Sequence, residues 1–387
     1  MKNIVFCHGG APTSVINASL YGAIKELKNS GFKGKILAAR FGSDGLFHED
    51  FIDLTNLKEE ELEKLKKTPG TAIGSSRFPL YEKEYSHIID VLVKHDIGYV
   101  VFTGGNGSMD TLGNIYLMAQ KRNIDIRCMG IPKTIDNDLG GVDHAPGYAS
   151  AANYIIQTVN EAKYDVKGLP IHVSVIEIMG RNAGWLVASS SLAKNDEGDA
   201  PQMILFPEIP FDEDDFIKKV KELWDKKHGL IICASEGLKD KNGVPIVKPI
   251  FKTERATYFG DVSTHLATLI IEKLGIKARS EKPGLIQRCS SVLTSKVDMD
   301  EAILCGKKAI EALNNGESGY MVGIKRISSS PYKIETTLIP LKEVMMKETY
   351  FPMKYIKNKY ETSEAFKEWL KPLVNEKEDF ITFVDKK

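Results

Sequence analysis

The sequence predicts a two-lobed α/β protein with doubly wound, mostly parallel sheets and helices on both faces. Three observations carry this. At 387 residues the chain is long enough for two cores. Short apolar runs recur without polar alternation, as in strands covered on both faces. Amphipathic stretches stand between those runs, and alternating strand and helix is the signature of a parallel sheet.

Taken in order, the run Lys2-Asn-Ile-Val-Phe-Cys7 is a first strand, followed by a helical pattern over 14–29. Strands are expected at 34–39, 99–103, 125–131, 172–177, 202–206 and 229–234. Helices are expected at 59–67, 85–95 and 106–122, and an amphipathic one in the tail at 365–374. Gly9-Gly10, Gly104-Gly105 and Gly180 each follow a strand. In parallel sheets ligands sit at the carboxyl ends of strands, so these glycines are expected on one edge. The lobes are expected at 1–140, with a later segment returning to it, and at 141–320, with 321–387 as a C-terminal extension.

Lys+Arg and Asp+Glu are equal at 52 each, so any anion site must be local, and a nucleic-acid or membrane-surface role is not expected. No apolar run approaches the length of a membrane-spanning helix, and the N-terminal run is too short for a signal peptide. Cys7, Cys128, Cys233, Cys289 and Cys305 form no CxxC pair, which points to reduced thiols and a cytoplasmic protein.

The chemistry concentrates in two segments. Val101-Phe-Thr-Gly-Gly-Asn-Gly-Ser108 is a strand breaking into glycines, whose backbone N–H groups can face phosphate oxygens beside a helix N-terminus. Gly107 lacks a Cβ, so a phosphate chain can approach it. In Ile131-Pro-Lys-Thr-Ile-Asp-Asn-Asp138 the aspartates alternate, and an extended backbone would put Asp136 and Asp138 on one face. One can take a proton from a hydroxyl and the other can hold Mg²⁺, while Thr134 can bond a transferring phosphoryl group. The plain alternative is a solvated Asx turn. Arg181, in Ile178-Met-Gly-Arg181, can neutralise charge developing on that group. Arg77, in Ile73-Gly-Ser-Ser-Arg77, can clamp a phosphate chain. Arg279 and Arg288 flank Pro283-Gly284 and suit an acidic substrate, and Glu236 can bond sugar hydroxyls. Each of these arginine and glutamate signals also has a purely structural reading. Together they describe phosphoryl transfer, which needs positioning and charge neutralisation.

In combination these segments resemble the phosphofructokinase family in its ATP- and pyrophosphate-dependent branches, over roughly residues 1–320. The resemblance implies that Asp136 activates the sugar 1-hydroxyl, with Thr134, Arg181 and Lys133 around the transferred group. It implies that Gly9, Gly10, Gly104, Gly105, Asn106, Gly107 and Ser108 line the donor site, with Arg77 bridging phosphates. Met179, Gly180 and Glu236 would contact the sugar, with Arg279, Arg288 and His172 at its acidic end. Asp138 and Asn106 would serve Mg²⁺. It also implies a homodimer or homotetramer whose active sites borrow residues across an interface. A silent sugar- or nucleotide-binding homologue is the competing reading; the retained Asp136, Thr134, Asp138 and Arg181 speak against it.

The donor rests on two positions. Family members that use pyrophosphate usually carry aspartate where this chain has Gly107, and lysine where it has Lys133. Gly107 leaves room for a nucleotide, so ATP is expected ahead of pyrophosphate. Three departures bear on the substrate. Asn106 replaces a usual metal-binding aspartate, His172 replaces an arginine, and Leu285 replaces a histidine or tyrosine. A phosphate dianion has lost a fixed cation and a polar donor there, so a sulfonate analogue such as 6-deoxy-6-sulfofructose is an alternative acceptor to fructose 6-phosphate.

Overall fold

The computed structural model describes residues 2–76, 78–196, 198–252, 257–259, 261–345 and 347–384. In chain order the strands are β1 (Asn3–Gly9), β2 (Ile36–Ala39), β3 (Phe51–Asp53), β4 (Ser75–Ser76), β5 (Ile97–Gly104) and β6 (Arg127–Pro132). Then come β7 (Val173–Ile178), β8 (Met203–Leu205), β9 (Leu230–Ser235), β10 (Pro249–Lys252), β11 (Thr257–Phe259), β12 (Ala278–Glu281), β13 (Tyr320–Ser329) and β14 (Tyr332–Pro340). The chain divides into two compact units, 1–150 with 288–349, and 151–287 with 350–387. The expected boundaries at 140 and 320 therefore move. Residues 321–349, which carry β13, β14 and the helical turn Leu341–Val344, belong to the first unit, and 350–387 belong to the second.

The first unit holds an eight-stranded sheet in the order β14-β13-β6-β5-β1-β2-β3, with β4 paired to β1. The pairs from β13 to β2 are parallel, while β14 and β3 join antiparallel at the edges. Alternate residues of one strand feed different cores. Val5 and Cys7 pack with Ile88, Leu92, Leu112 and Ile115. Ile4 and Phe6 pack with Leu20, Ile24, Ala309 and Ile310. Both faces are therefore covered by helices, as continuous apolar runs require. The second unit carries the parallel sheet β12-β7-β9-β8, with Phe216, Val220, Leu266 and Ile270 packed on Val173, Val175 and Ile232.

The helix Glu59–Lys67 has the expected bounds: three glutamates open it, three lysines close it, and both ends complement the helix dipole. The helix expected at 85–95 begins earlier, as Glu82–Lys94, because Glu84 reaches back to the Tyr81 N–H at 3.0 Å. The tail helix is Glu364–Leu370 followed by the 3₁₀ turn Lys371–Leu373. Four of the five free cysteines are buried. Among the described residues no helix is long and apolar enough to cross a membrane.

Candidate active site

The register aligns His8 with Thr103 and Gly104 with Pro132, so β1, β5 and β6 end together. Gly9-Gly10 and Gly104-Gly105 gather on that edge. Gly180 does not, because it follows β7 in the other unit's sheet. The helix Asn106–Lys121 starts at this edge with Gly105 as its cap and no side-chain capping bond. Its dipole therefore places partial positive charge where the three strands end.

Ser108 explains two of the glycines. A Cβ at Gly9 or at Gly104 would overlap the Ser108 hydroxyl. The strand ends and the first helical turn thus approach closer than any side chain permits. Gly104→Ala is expected to cost about 1–3 kcal/mol, as overpacking typically does. Thermal unfolding checks this, and an unchanged Tm would refute the close-packing reading. Gly107 differs: it is exposed, and a Cβ there would meet nothing within 4 Å among the described residues.

Lys133 is buried and donates from Nζ to the Ala11 carbonyl at 2.7 Å. It lies beside Gly10, whose φ of +74° suits glycine and whose carbonyl accepts from Ser75 Oγ at 2.7 Å. His8 is buried, with Nδ1 2.7 Å from Thr71 Oγ1. Burial first, then the Lys133 charge, push its pKa down to about 3, so the imidazole is neutral. Arg77 lies outside the described residues.

The segment 134–138 is not extended. Asn137 has φ +52°, which breaks the strand alternation and with it the expected shared face of Asp136 and Asp138. A compact loop replaces it. Thr134 Oγ1 donates to Asp138 Oδ1 at 3.0 Å and accepts from the Asp136 N–H at 3.1 Å. Asn106 Nδ2 donates to Asp138 Oδ2 at 3.1 Å and to its carbonyl at 3.2 Å. The Thr349 N–H also donates to the Asp138 carbonyl, at 2.8 Å. Asp138 is thus an anchored carboxylate with Asp136 beside it, and both are half-buried. Asn137 was not singled out by sequence reasoning. It is buried, and its Oδ1 accepts from the Ala145 N–H at 2.9 Å, which fixes the loop.

Among the described residues the buried Asn106 Oδ1 has no hydrogen-bond partner, and it lies next to the Asp138 carboxylate. Amide and carboxylate oxygens are the hard donors Mg²⁺ takes, usually one or two of them together with substrate phosphates. Among the described residues no cluster of three or more His, Cys, Asp or Glu could cage a metal. The donor set therefore fits Mg²⁺ carried in with a phosphate chain.

In the second unit the ends of β7 and β9 are adjacent and parallel. Gly180 has φ +106°, and its carbonyl accepts from Ser235 Oγ at 3.0 Å. A Cβ at Gly237 would overlap the Arg181 carbonyl. Met179, Gly180, Arg181 and Glu236 are thereby brought together. Gln287, buried and not singled out in the sequence, accepts the Met179 N–H at 3.0 Å through Oε1. His172 precedes β7 and so stands at its opposite end, about 20 Å from Met179 at the usual rise per residue. Arg279 in β12 pairs with Ser174, close to the His172 end, and is exposed beside Glu281 at 3.5 Å. His172 is buried, and burial first, then Arg279 and Lys277, push its pKa down. Leu285 is exposed. Arg288, in the short helix Ile286–Cys289, opens the returning segment of the first unit.

A family model described as Phosphofructokinase matches residues 3–313. A pyrophosphate–fructose 6-phosphate 1-phosphotransferase of Xanthomonas campestris pv. campestris is 34% identical, over 96% of this chain and 91% of its own. A sulfofructose kinase of Alkalicoccus urumqiensis is 32% identical, over 95% of this chain and 94% of its own. The crystal structure of a pyrophosphate-dependent phosphofructokinase from Marinobacter aquaeolei superposes with a TM-score of 0.88 at 33% identity, covering 100% of this chain and 94% of that one. Fold and site define an enzyme, a phosphotransferase with an alcohol group as acceptor. The chain belongs to the phosphofructokinase family.

Proposed function

We propose that this chain transfers a phosphoryl group to the 1-hydroxyl of fructose 6-phosphate or a closely related acidic ketose, with Asp136 as the base. The observation that carries the reading is the loop 134–138, set at the carboxyl ends of β5 and β6 beside a glycine turn. Asp136 takes the hydroxyl proton as the oxygen attacks phosphorus. Thr134, Lys133 and Arg181 steady the transferred group, and the donor's leaving phosphate departs along the glycine turn. Mg²⁺, held through Asp138 and Asn106, would neutralise charge on the donor phosphates. Met179, Gly180 and Glu236 take the sugar.

For the donor, the relatives' names favour pyrophosphate, and that is the second reading. ATP is our first reading on one residue-level observation. Among the described residues nothing lies within 4 Å of a Cβ at Gly107, where the pyrophosphate pattern places an aspartate. The pyrophosphate-type Lys133 already commits one donor to the Ala11 carbonyl. For the acceptor, a sulfonate at the sugar's acidic end is a second reading. The buried His172, whose cationic form is disfavoured, and the apolar Leu285 support it, as does the sulfofructose kinase relative. The distance of His172 and Arg279 from Met179 along β7 supports their serving the neighbouring subunit's acceptor in a homodimer or homotetramer. We place the enzyme in the cytoplasm, where such sugars are metabolised.

A donor-by-acceptor grid tests this: ATP or pyrophosphate with Mg²⁺, against fructose 6-phosphate, 6-deoxy-6-sulfofructose and free fructose. The expected result is highest kcat/KM with ATP and one of the two acidic ketoses. A tenfold advantage of pyrophosphate over ATP would install the second donor, and no transfer in any cell of the grid would refute the reading.

A further inference from the structure

Three elements of the first unit converge on one buried histidine. His144 has Nδ1 2.8 Å from Asp143 Oδ2 and Nε2 2.6 Å from Glu301 Oε2, which lies on the helix Lys296–Asn314. From β14, Tyr332 donates to Glu301 Oε1 at 2.6 Å. From β13, Arg326 donates Nε to Asp143 Oδ2 at 3.1 Å and lies over the Tyr332 ring at 5.2 Å. A ring with a carboxylate at each nitrogen satisfies both contacts only when both nitrogens carry protons. The imidazolium and Arg326 then balance Asp143 and Glu301, which a buried cluster requires.

The segment that carries this histidine also carries the anchors of the reactive loop. The Ala145 N–H donates to Asn137 Oδ1 at 2.9 Å, and the Thr134 N–H donates to the Pro146 carbonyl at 3.2 Å. Asp298, one turn before Glu301 on the same helix, accepts from Gly147 and Ser150 at 2.8 and 2.9 Å. The Asp143 N–H donates to the Ile324 carbonyl of β13 at 2.8 Å. Helix, hairpin and loop are thus tied through residues 143–150.

We propose that His144, clamped between Asp143 and Glu301, is a positioning residue for phosphoryl transfer. It fixes segment 143–147 and thereby sets Asp136 and Asp138 in their working geometry. This rests on the function proposed above.

Deprotonation would turn a ring lone pair toward a carboxylate and open the clamp. Burial, the largest influence, pushes the His144 pKa down, but hydrogen bonds to Asp143 and Glu301 outweigh it and bring it up to about 9. The folded value lies above the ordinary 6.5. The clamp's contribution is therefore complete below the ordinary value and is lost as pH rises through about 9. Tyr332 and Cys305 do not lose their protons ahead of it. Burial and then Glu301 hold Tyr332 protonated, and burial and then the Glu301 and Asp298 charges do the same for Cys305.

The test is steady-state kinetics from pH 6 to 10 on wild type, His144→Gln and Tyr332→Phe, with hydrogen exchange of segment 133–147 and thermal unfolding alongside. We expect kcat of His144→Gln to fall at least tenfold with KM values within threefold. The segment should exchange faster, and the wild-type alkaline limb near pH 9 should be absent from the variant. Tyr332→Phe should lose about threefold in kcat and keep the limb. Wild-type kcat in both variants, with only a lower Tm and no wild-type limb, would overturn the proposal. If His144→Gln does not fold, the wild-type profile and Tyr332→Phe decide by the same criteria. Asp136→Asn serves as the control: full activity there would overturn the functional reading itself, whereas its loss with an active His144→Gln overturns only this inference.

Discussion

Asp136→Asn is expected to lower kcat by about 10³-fold, within the range that a positioned general base contributes. The change keeps shape while removing the negative charge and the ability to take a proton. It should leave the loop standing, because the backbone N–H of residue 136 still donates to Thr134 Oγ1. KM for donor and acceptor should therefore stay within about threefold and Tm within a degree or two. Steady-state kinetics with the best pair from the substrate grid checks this. A kcat within tenfold of wild type would remove Asp136 as the base and direct attention to Asp138, whose carboxylate is otherwise committed to Thr134 and Asn106.

Gly107→Asp is expected to swing the ratio of kcat/KM for ATP over pyrophosphate by about 10²- to 10³-fold toward pyrophosphate. A carboxylate about 4 Å from a phosphate charge costs up to about 4 kcal/mol at the effective dielectric of a protein surface, and 1.4 kcal/mol is a factor of ten. The fold should tolerate the change, since a Cβ at that position meets nothing within 4 Å among the described residues and the residue is exposed. Unchanged Tm with an unchanged donor ratio would show that donor choice is set elsewhere. In that case Lys133 would be the next position to substitute.

Much of this architecture is legible in the sequence because it depends on local pattern. The helix at 106 begins directly after the pair Gly104-Gly105, and the helix at 59–67 advertises both ends by charge. The continuous apolar strands announce burial on both faces, and Val5 and Phe6 do fall into different cores. The failures are long-range or conformational. Alternation of Asp136 and Asp138 reads as one face only while the backbone is extended, and Asn137 in the left-handed region cancels that. Gly180 reads as a member of the phosphate edge because nothing in its local pattern says which sheet it joins. His144 was invisible because one of its carboxylates, Glu301, is 157 residues away. Gln287 carried one usable signal, its place between Ile286 and Arg288 in a segment that bears part of the family resemblance.

The partition of the central strands β1, β2, β5 and β6 between two cores has an evolutionary corollary. Strands with no wet face, such as β1, β5 and β6, leave divergence little room, since a change on either side disturbs packed neighbours. The positions that would decide donor and acceptor stand elsewhere. Gly107 and Leu285 are exposed, and Lys133 and His172 sit at strand ends outside the apolar clusters. A lineage could exchange one phosphoryl donor for another, or one acidic sugar for another, by a few replacements at such sites while inheriting the scaffold intact. Relatives named for different donors and different sugars are the pattern that such a separation of scaffold from rim would leave behind.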